Sequence, residues 1–315
     1  MGHAGFFFQQ EFGTRPRFMQ DVSVSVDNFH PVSDICMLPI IDLNPNDMWC
    51  VLSTLNFVEK QAARLNTETA CVRFNQPLYI KAVETAHSED LNVVCRLEGV
   101  HLLMNFMGAI GAIMNGSGLS ATWETCYAPV TITHMTTGKA HAKALRGHFQ
   151  AESSLMILLM ENTFDIYGEQ SDASISQLDE TDISSLRDAS QWAFDCTDAT
   201  NPLPVCLQHL GDRISDHKQQ LVNDDRTARL WVQYLDYVRT VKQFLRAERT
   251  SDWSLHLLSV SQMLNLLSAA GRNNYAKCAR VYLQLMADLA VTHPTAELRT
   301  TCCSPIRSTL GSYIN

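Results

Sequence analysis

Any chemistry in this chain would start from a few polar residues set against apolar runs. Asn75 follows Cys71-Val72-Arg73-Phe74, and His101 comes shortly after Val93-Val94-Cys95-Arg96-Leu97. In an open α/β sheet, side chains at the carboxyl ends of strands line the crevice where ligands bind. A carboxylate at position 75 could hold Mg2+ through oxygen, whereas the Asn amide is uncharged and a much weaker ligand. Asn75 before Gln76-Pro77 also suits a plain helix cap, and a lone His101 at a helix start suits capping or orientation. A second candidate is cationic. Lys139, Lys143 and Arg146 fall at i, i+4 and i+7, with His141 and His148 alongside and no acid before Glu152. That face can hold nucleic-acid phosphates, and it equally fits the solvated side of an amphipathic helix.

Three further patterns carry less. His148 and Glu152 have the i, i+4 spacing of a metal pair, but no second motif completes the shell. Gly108 to Gly118 is Gly-rich yet lacks the Lys-Ser/Thr ending of a phosphate loop, so close helix packing explains it better. No GxSxG elbow occurs. The carboxylates between Glu161 and Asp198 crowd an acidic, Ser-rich stretch and read as solvating. No metal site and no cofactor are expected from these residues.

A chain of 315 residues, 46% hydrophobic, has the composition of a globular protein with a sizeable core. The formal net charge of -9 argues against nucleic-acid binding through overall charge, though not through a local basic patch. Ten cysteines without a CxxC pair suit reduced, buried thiols. The N-terminus lacks the charged and apolar regions of a signal peptide, and Phe6 spoils a myristoylation signal at Gly2. No run is long enough to span a bilayer. The expectation is an intracellular protein, nuclear or cytoplasmic, with no membrane partner and no small-molecule substrate.

The elements that must position these residues follow from hydrophobic period and punctuation. Residues 1–20 read as a disordered leader. Val22–Val26 alternates as a strand, and Met37–Ile41 reads as an edge strand because it contains Pro39. Asn44-Pro45-Asn46-Asp47 predicts a turn and a cap, then a helix with Trp49, Leu52, Leu55, Phe57 and Val58 near one face. Cys71 to Leu119 reads as strand, helix, strand, helix. A helix is predicted over Gly138 to Glu161, then an acidic insertion over 161–200 with a weak helix at Asp182–Phe194. Capped helices fill 201–292, and 293–315 reads as a disordered tail. The fold class is α/β and predominantly helical, a small incomplete sheet over 21–160 followed by a C-terminal helical bundle.

Several long segments in order carry a resemblance: LPIIDLNPNDMWCVLSTLNFV, FNQPLYIKAVE, RLEGVHLLMNFMGAIGAIMNGSGL, GKAHAKALRGHF, TARLWVQYLDYVRTVKQFLRAERTSDWSLHL and YAKCARVYLQLM. They resemble a multicopy, mostly uncharacterised invertebrate family of mobile-element origin, itself similar to RNase H-like (DDE-type) transposases. That resemblance implies an RNase H-like sheet whose acids bind two divalent metals for phosphoryl transfer. The family pattern places Asp where this chain has Asn75. It reads Gly-Gly-Phe-His where this chain has Glu98-Gly99-Val100-His101. Glu248, in RAERTSDW, matches the pattern. An upstream acidic strand motif and an acidic block beyond the last helix have no match here. The resemblance therefore implies Asn75, His101 and Glu248 as ancestral catalytic positions that no longer work, while Lys139, Lys143 and Arg146 stand as candidate nucleic-acid contacts on their spacing. The leading expectation is a catalytically inactive transposase-derived protein retaining weak nucleic-acid binding. The alternatives are an active Mg2+-dependent nuclease, and an interaction module with no nucleic-acid role.

Overall fold

The computed structural model describes Asn44, residues 47–164, Ser184, 205–250 and 252–294. The expected leader, the strands Val22–Val26 and Met37–Ile41, the helix Asp182–Phe194 (Ser184 apart) and the tail beyond Pro294 lie outside these residues. The described residues fall into two compact units, one holding 47–152 with 230–294 and the other 153–164 with 205–229.

The larger unit begins with α1 (Met48–Arg64), started by Asp47, whose carboxylate accepts from Trp49 N at 3.1 Å. Its buried stripe is Cys50, Val51, Leu55 and Ala62, so Trp49 falls off the expected face and is 70% exposed. The chain then runs through β1 (Ala70–Phe74), α2 (Gln76–Ser88) and β2 (Val93–Leu97). The two strands pair in parallel from Ala70↔Val93 to Phe74↔Leu97, and among the described residues they form a two-stranded sheet. Every residue of β2 is buried, as a near-continuous apolar run predicts for a strand covered on both faces.

Next come α3 (Gly99–Ile113), α4 (Leu119–Glu124), α5 (Pro129–Thr136) and α6 (His141–Phe164). Helix α3 is the core element, with Leu102, Phe106, Met107 and Ile110 all at or near zero exposure. Burying an aliphatic or Phe side chain of this size contributes roughly 1.5–3 kcal/mol. Gly108 and Gly111 lie inside α3, where a Cβ at Gly111 would overlap the Thr136 carbonyl oxygen. These glycines let α5 approach, as the packing reading of the Gly-rich stretch expects.

After α7 (Val205–Asp224) and α8 (Arg226–Thr250) come α9 (Trp253–Ala269), α10 (Asn273–Ala287) and the short α11 (Leu289–Thr292). Asp252 caps α9 through Leu255 N at 2.9 Å, and Gly271 closes it at φ +71°. Helices α9 and α10 pack on each other; α9 also meets α3, and α10 meets α2 and β2. In the smaller unit, Thr163 Oγ1 lies 2.7 Å from His217 Nδ1, and Arg229 Nε donates to the Val222 carbonyl at 2.9 Å. The fold is α/β and predominantly helical. No helix among the described residues is long and apolar enough to cross a membrane.

Candidate functional site

The carboxyl ends of β1 and β2 feed directly into helices, and the first residue past each strand is a cap. Asn75 takes the cap position of α2 in extended backbone (φ -67°, ψ 165°), and its carbonyl accepts from Leu78 N and Tyr79 N. Its side chain is exposed and makes no capping bond. Glu98 takes the equivalent place before α3. Its carboxylate accepts from Val100 N at 3.1 Å and from His101 N at 2.9 Å, and it also contacts His101 Nδ1. A carboxylate there satisfies helix-end amides and faces the positive end of the helix dipole. His101, its side chain half exposed, is held as the partner of Glu98. Glu98 is thus the residue that starts the core helix. Glu98→Ala is expected to cost about 1 kcal/mol, read as a lower urea midpoint with an unchanged slope.

Glu248 reaches the start of α3 from α8. A Cβ on Gly99 would lie 3.5 Å from Glu248 Oε2 and 3.1 Å from Phe244 Cζ, so Gly99 makes room for α8. Behind it runs a buried polar chain. Glu248 Oε1 lies 2.6 Å from His256 Nδ1, although the ring nitrogen's donor direction is poorly aligned with that oxygen. His256 Nε2 lies 3.0 Å from the Tyr282 hydroxyl. Trp253 stacks on His256 with ring centroids 5.4 Å apart and 8° between planes, and the Arg96 guanidinium sits 4.6 Å from the Trp253 ring centre. Arg96 is 6% exposed and pairs in register with Arg73, which is exposed. Residues paired in register share a face of the sheet.

The electrostatics follow from this crowding. Burial pushes the Glu248 carboxyl up, but the His256 contact together with Arg73 and Arg96 outweighs it, and the group titrates below its ordinary value. Burial pushes the Tyr282 phenol up to about 12, even though Arg96 acts the other way. The Cys95 thiol, also in β2, is pushed up to about 12 by burial, which leaves it an inert neutral group. Cys50, Cys71, Cys95, Cys126 and Cys278 are free thiols. The cluster thus combines one carboxylate with two guanidinium groups. Among the described residues no three His, Cys, Asp or Glu side chains gather as a metal site.

The basic residues lie elsewhere. Lys143 and Arg146 are exposed on α6, while Lys139 is exposed in the turn before it, so the three do not share one helix. The expected helix starts three residues late because Gly138 takes φ +80° hard against the Met104 carbonyl. Among the described residues none of the three pairs with a carboxylate. His148 and Glu152 do not converge. His148 is fully buried beside Trp123 with Nδ1 3.0 Å from the Tyr234 hydroxyl, and burial lowers its pKa to about 3. Glu152 binds Lys242 Nζ at 2.5 Å.

A family model described as Domain of unknown function (DUF8702) matches residues 16–303. The chain belongs to the DUF8702 family. Comparison with the curated proteins and with the solved structures found no match. The DUF8702 span includes Asn75, His101, Glu248, both arginines of the sheet and the whole Glu248–His256–Tyr282 chain. Arg96, His256 and Tyr282 give no signal in the sequence, since each sits inside an apolar period that predicts core.

Proposed function

We propose that this DUF8702 protein is a catalytically inactive, transposase-derived protein that keeps an RNase H-like remnant as scaffold and contacts nucleic acid weakly through Lys139, Lys143 and Arg146. The observation that supports it best is the state of the candidate acids. Position 75 is an exposed amide, and the carboxylate of Glu248 is turned into a chain with His256 and close to Arg96. Two-metal phosphoryl transfer needs carboxylates converging on a shared cation. A carboxylate already engaged by His256 and facing the charges of Arg73 and Arg96 is poorly placed for that work. The reading implies an intracellular protein, nuclear or cytoplasmic. Incubating the purified chain with supercoiled plasmid and Mg2+ or Mn2+ tests it. No nicking above that of Glu248→Gln is expected, and nicking abolished by Glu248→Gln would overturn the reading in favour of an active nuclease.

The binding half has its own test. In gel shifts across a salt series, Lys143→Glu with Arg146→Glu is expected to weaken binding without regard to sequence. The slope of log affinity against log salt should fall by roughly 2, one step for each phosphate that is no longer neutralised. An unchanged slope removes these residues from the interface. No measurable binding at low salt would favour the interaction-module alternative.

A further inference from the structure

A groove of about 710 Å3 opens in the larger unit beside the first residues of β2, walled by α2 on one side and by α10 and α11 on the other. The ladder decides which backbone groups face it. Ala70 N donates to the Asn92 carbonyl and Glu98 N to the Phe74 carbonyl, so Asn92, Val94, Arg96 and Glu98 turn their groups toward β1. Val93 and Cys95 therefore turn theirs to the opposite edge, and both residues line the groove. The Val93 N–H is taken by the Leu91 carbonyl at 2.8 Å. Among the described residues no group pairs with the Cys95 N–H, the Cys95 carbonyl or the Val93 carbonyl. Both residues are 5% exposed or less. An unpaired strand edge is a template for another strand.

The walls indicate what that strand should carry. Leu285 and Met286 supply apolar surface, while the exposed carboxylates of Glu84, Asp90 and Asp288 stand at the rim and no lysine or arginine lines the groove. We propose that the groove takes an extended segment of a partner protein, added to β2 as a further strand, with apolar side chains at alternate positions and lysine or arginine against the rim. Backbone pairing supplies the affinity in such strand addition, and the side-chain pockets supply the selection. The site is distinct from the basic residues of α6 and its turn, and does not depend on nucleic-acid binding.

The test uses the full chain and a fluorescein-labelled peptide of about eight residues with Lys and Val alternating, followed by anisotropy. Saturable binding is expected, weakened about tenfold or more by Glu84→Lys with Asp288→Lys. It should be lost when the peptide is N-methylated at alternate residues, which removes the strand donors and leaves the side chains in place. Circular dichroism of the charge-reversed variant confirms that it is folded. A methylated peptide that binds as tightly as the parent overturns the proposal. So does affinity indifferent to charge reversal in a folded variant. A probe that fails to bind, with a concentration-dependent dimer by sedimentation that Asp288→Lys abolishes, would give the groove to a second copy and also overturn it.

Discussion

Glu248→Ala is expected to cost roughly 3–5 kcal/mol of folding stability, because it removes one side of the buried Glu248–His256 pair and leaves the other in place. Arg96, 6% exposed beneath Trp253, also loses the nearby negative charge that Glu248 supplies. Glu248→Gln keeps the shape and loses the charge, for an expected cost of about 1–3 kcal/mol. The sign of the effect separates two roles. In a metal site, neighbouring carboxylates repel one another without the cation, so removing one stabilises the metal-free protein. As a counterion to arginine, Glu248 stabilises with no metal present. Urea melts in EDTA read the difference, and a variant more stable than wild type would discard the counterion account. The pH dependence follows from the same pairing. The Glu248 pKa is lowered in the folded state, so its contribution is complete above the unfolded carboxylate value and fades as pH falls through the folded one. His148 adds a second acid-side loss, since a folded value of about 3 against an ordinary 6.5 means that the unfolded chain takes up the proton first. Stability should therefore decline from near pH 6.5 downward, and Glu248→Gln should remove only the lower part of that decline.

The elements in this chain were legible wherever one residue both punctuates and packs locally. Asp47 starts α1 through its own backbone neighbour, and the sequence places a cap there as the structure does. β1 and β2 were legible from apolar runs closed by polar residues. The polar chain was not. Arg96, Glu248, His256 and Tyr282 come from β2, α8, α9 and α10, and no local period announces that such separated residues meet. Glu98 was hidden differently. The resemblance drew notice to it only as a mismatch, whereas its position one residue before a helix makes it a cap on physical grounds. Lys139 shows the limit of spacing arguments: i, i+4, i+7 places residues on one face only where the helix includes all three, and Gly138 ends that condition.

Gly138→Ala is the second large effect, and Gly116→Ala is the comparison that gives it meaning. Both glycines hold a left-handed backbone, at φ +80° and φ +77°. A side chain there costs roughly 1–2 kcal/mol in either place. Around Gly116 nothing lies within 4 Å of a built Cβ, so the backbone strain is the whole expected cost. At Gly138 the Cβ would overlap the Met104 carbonyl oxygen and press on Gly108 N, both backbone atoms of the buried helix α3. Flexible side chains can move aside; the backbone of a core helix cannot move without disturbing Phe106 and Met107. Overpacking of this kind adds about 1–3 kcal/mol, so Gly138→Ala should lose about 2–5 kcal/mol against about 1–2 for Gly116→Ala. The turn at Gly138 also sets where α6 starts and where Lys139 points. On the nucleic-acid reading proposed above, Gly138→Ala should therefore weaken binding even at temperatures where it remains folded, while Gly116→Ala keeps it. Equal melting temperatures for the two variants would mean that α3 and the turn are not in contact as described, and would detach Lys139 from the core that positions it.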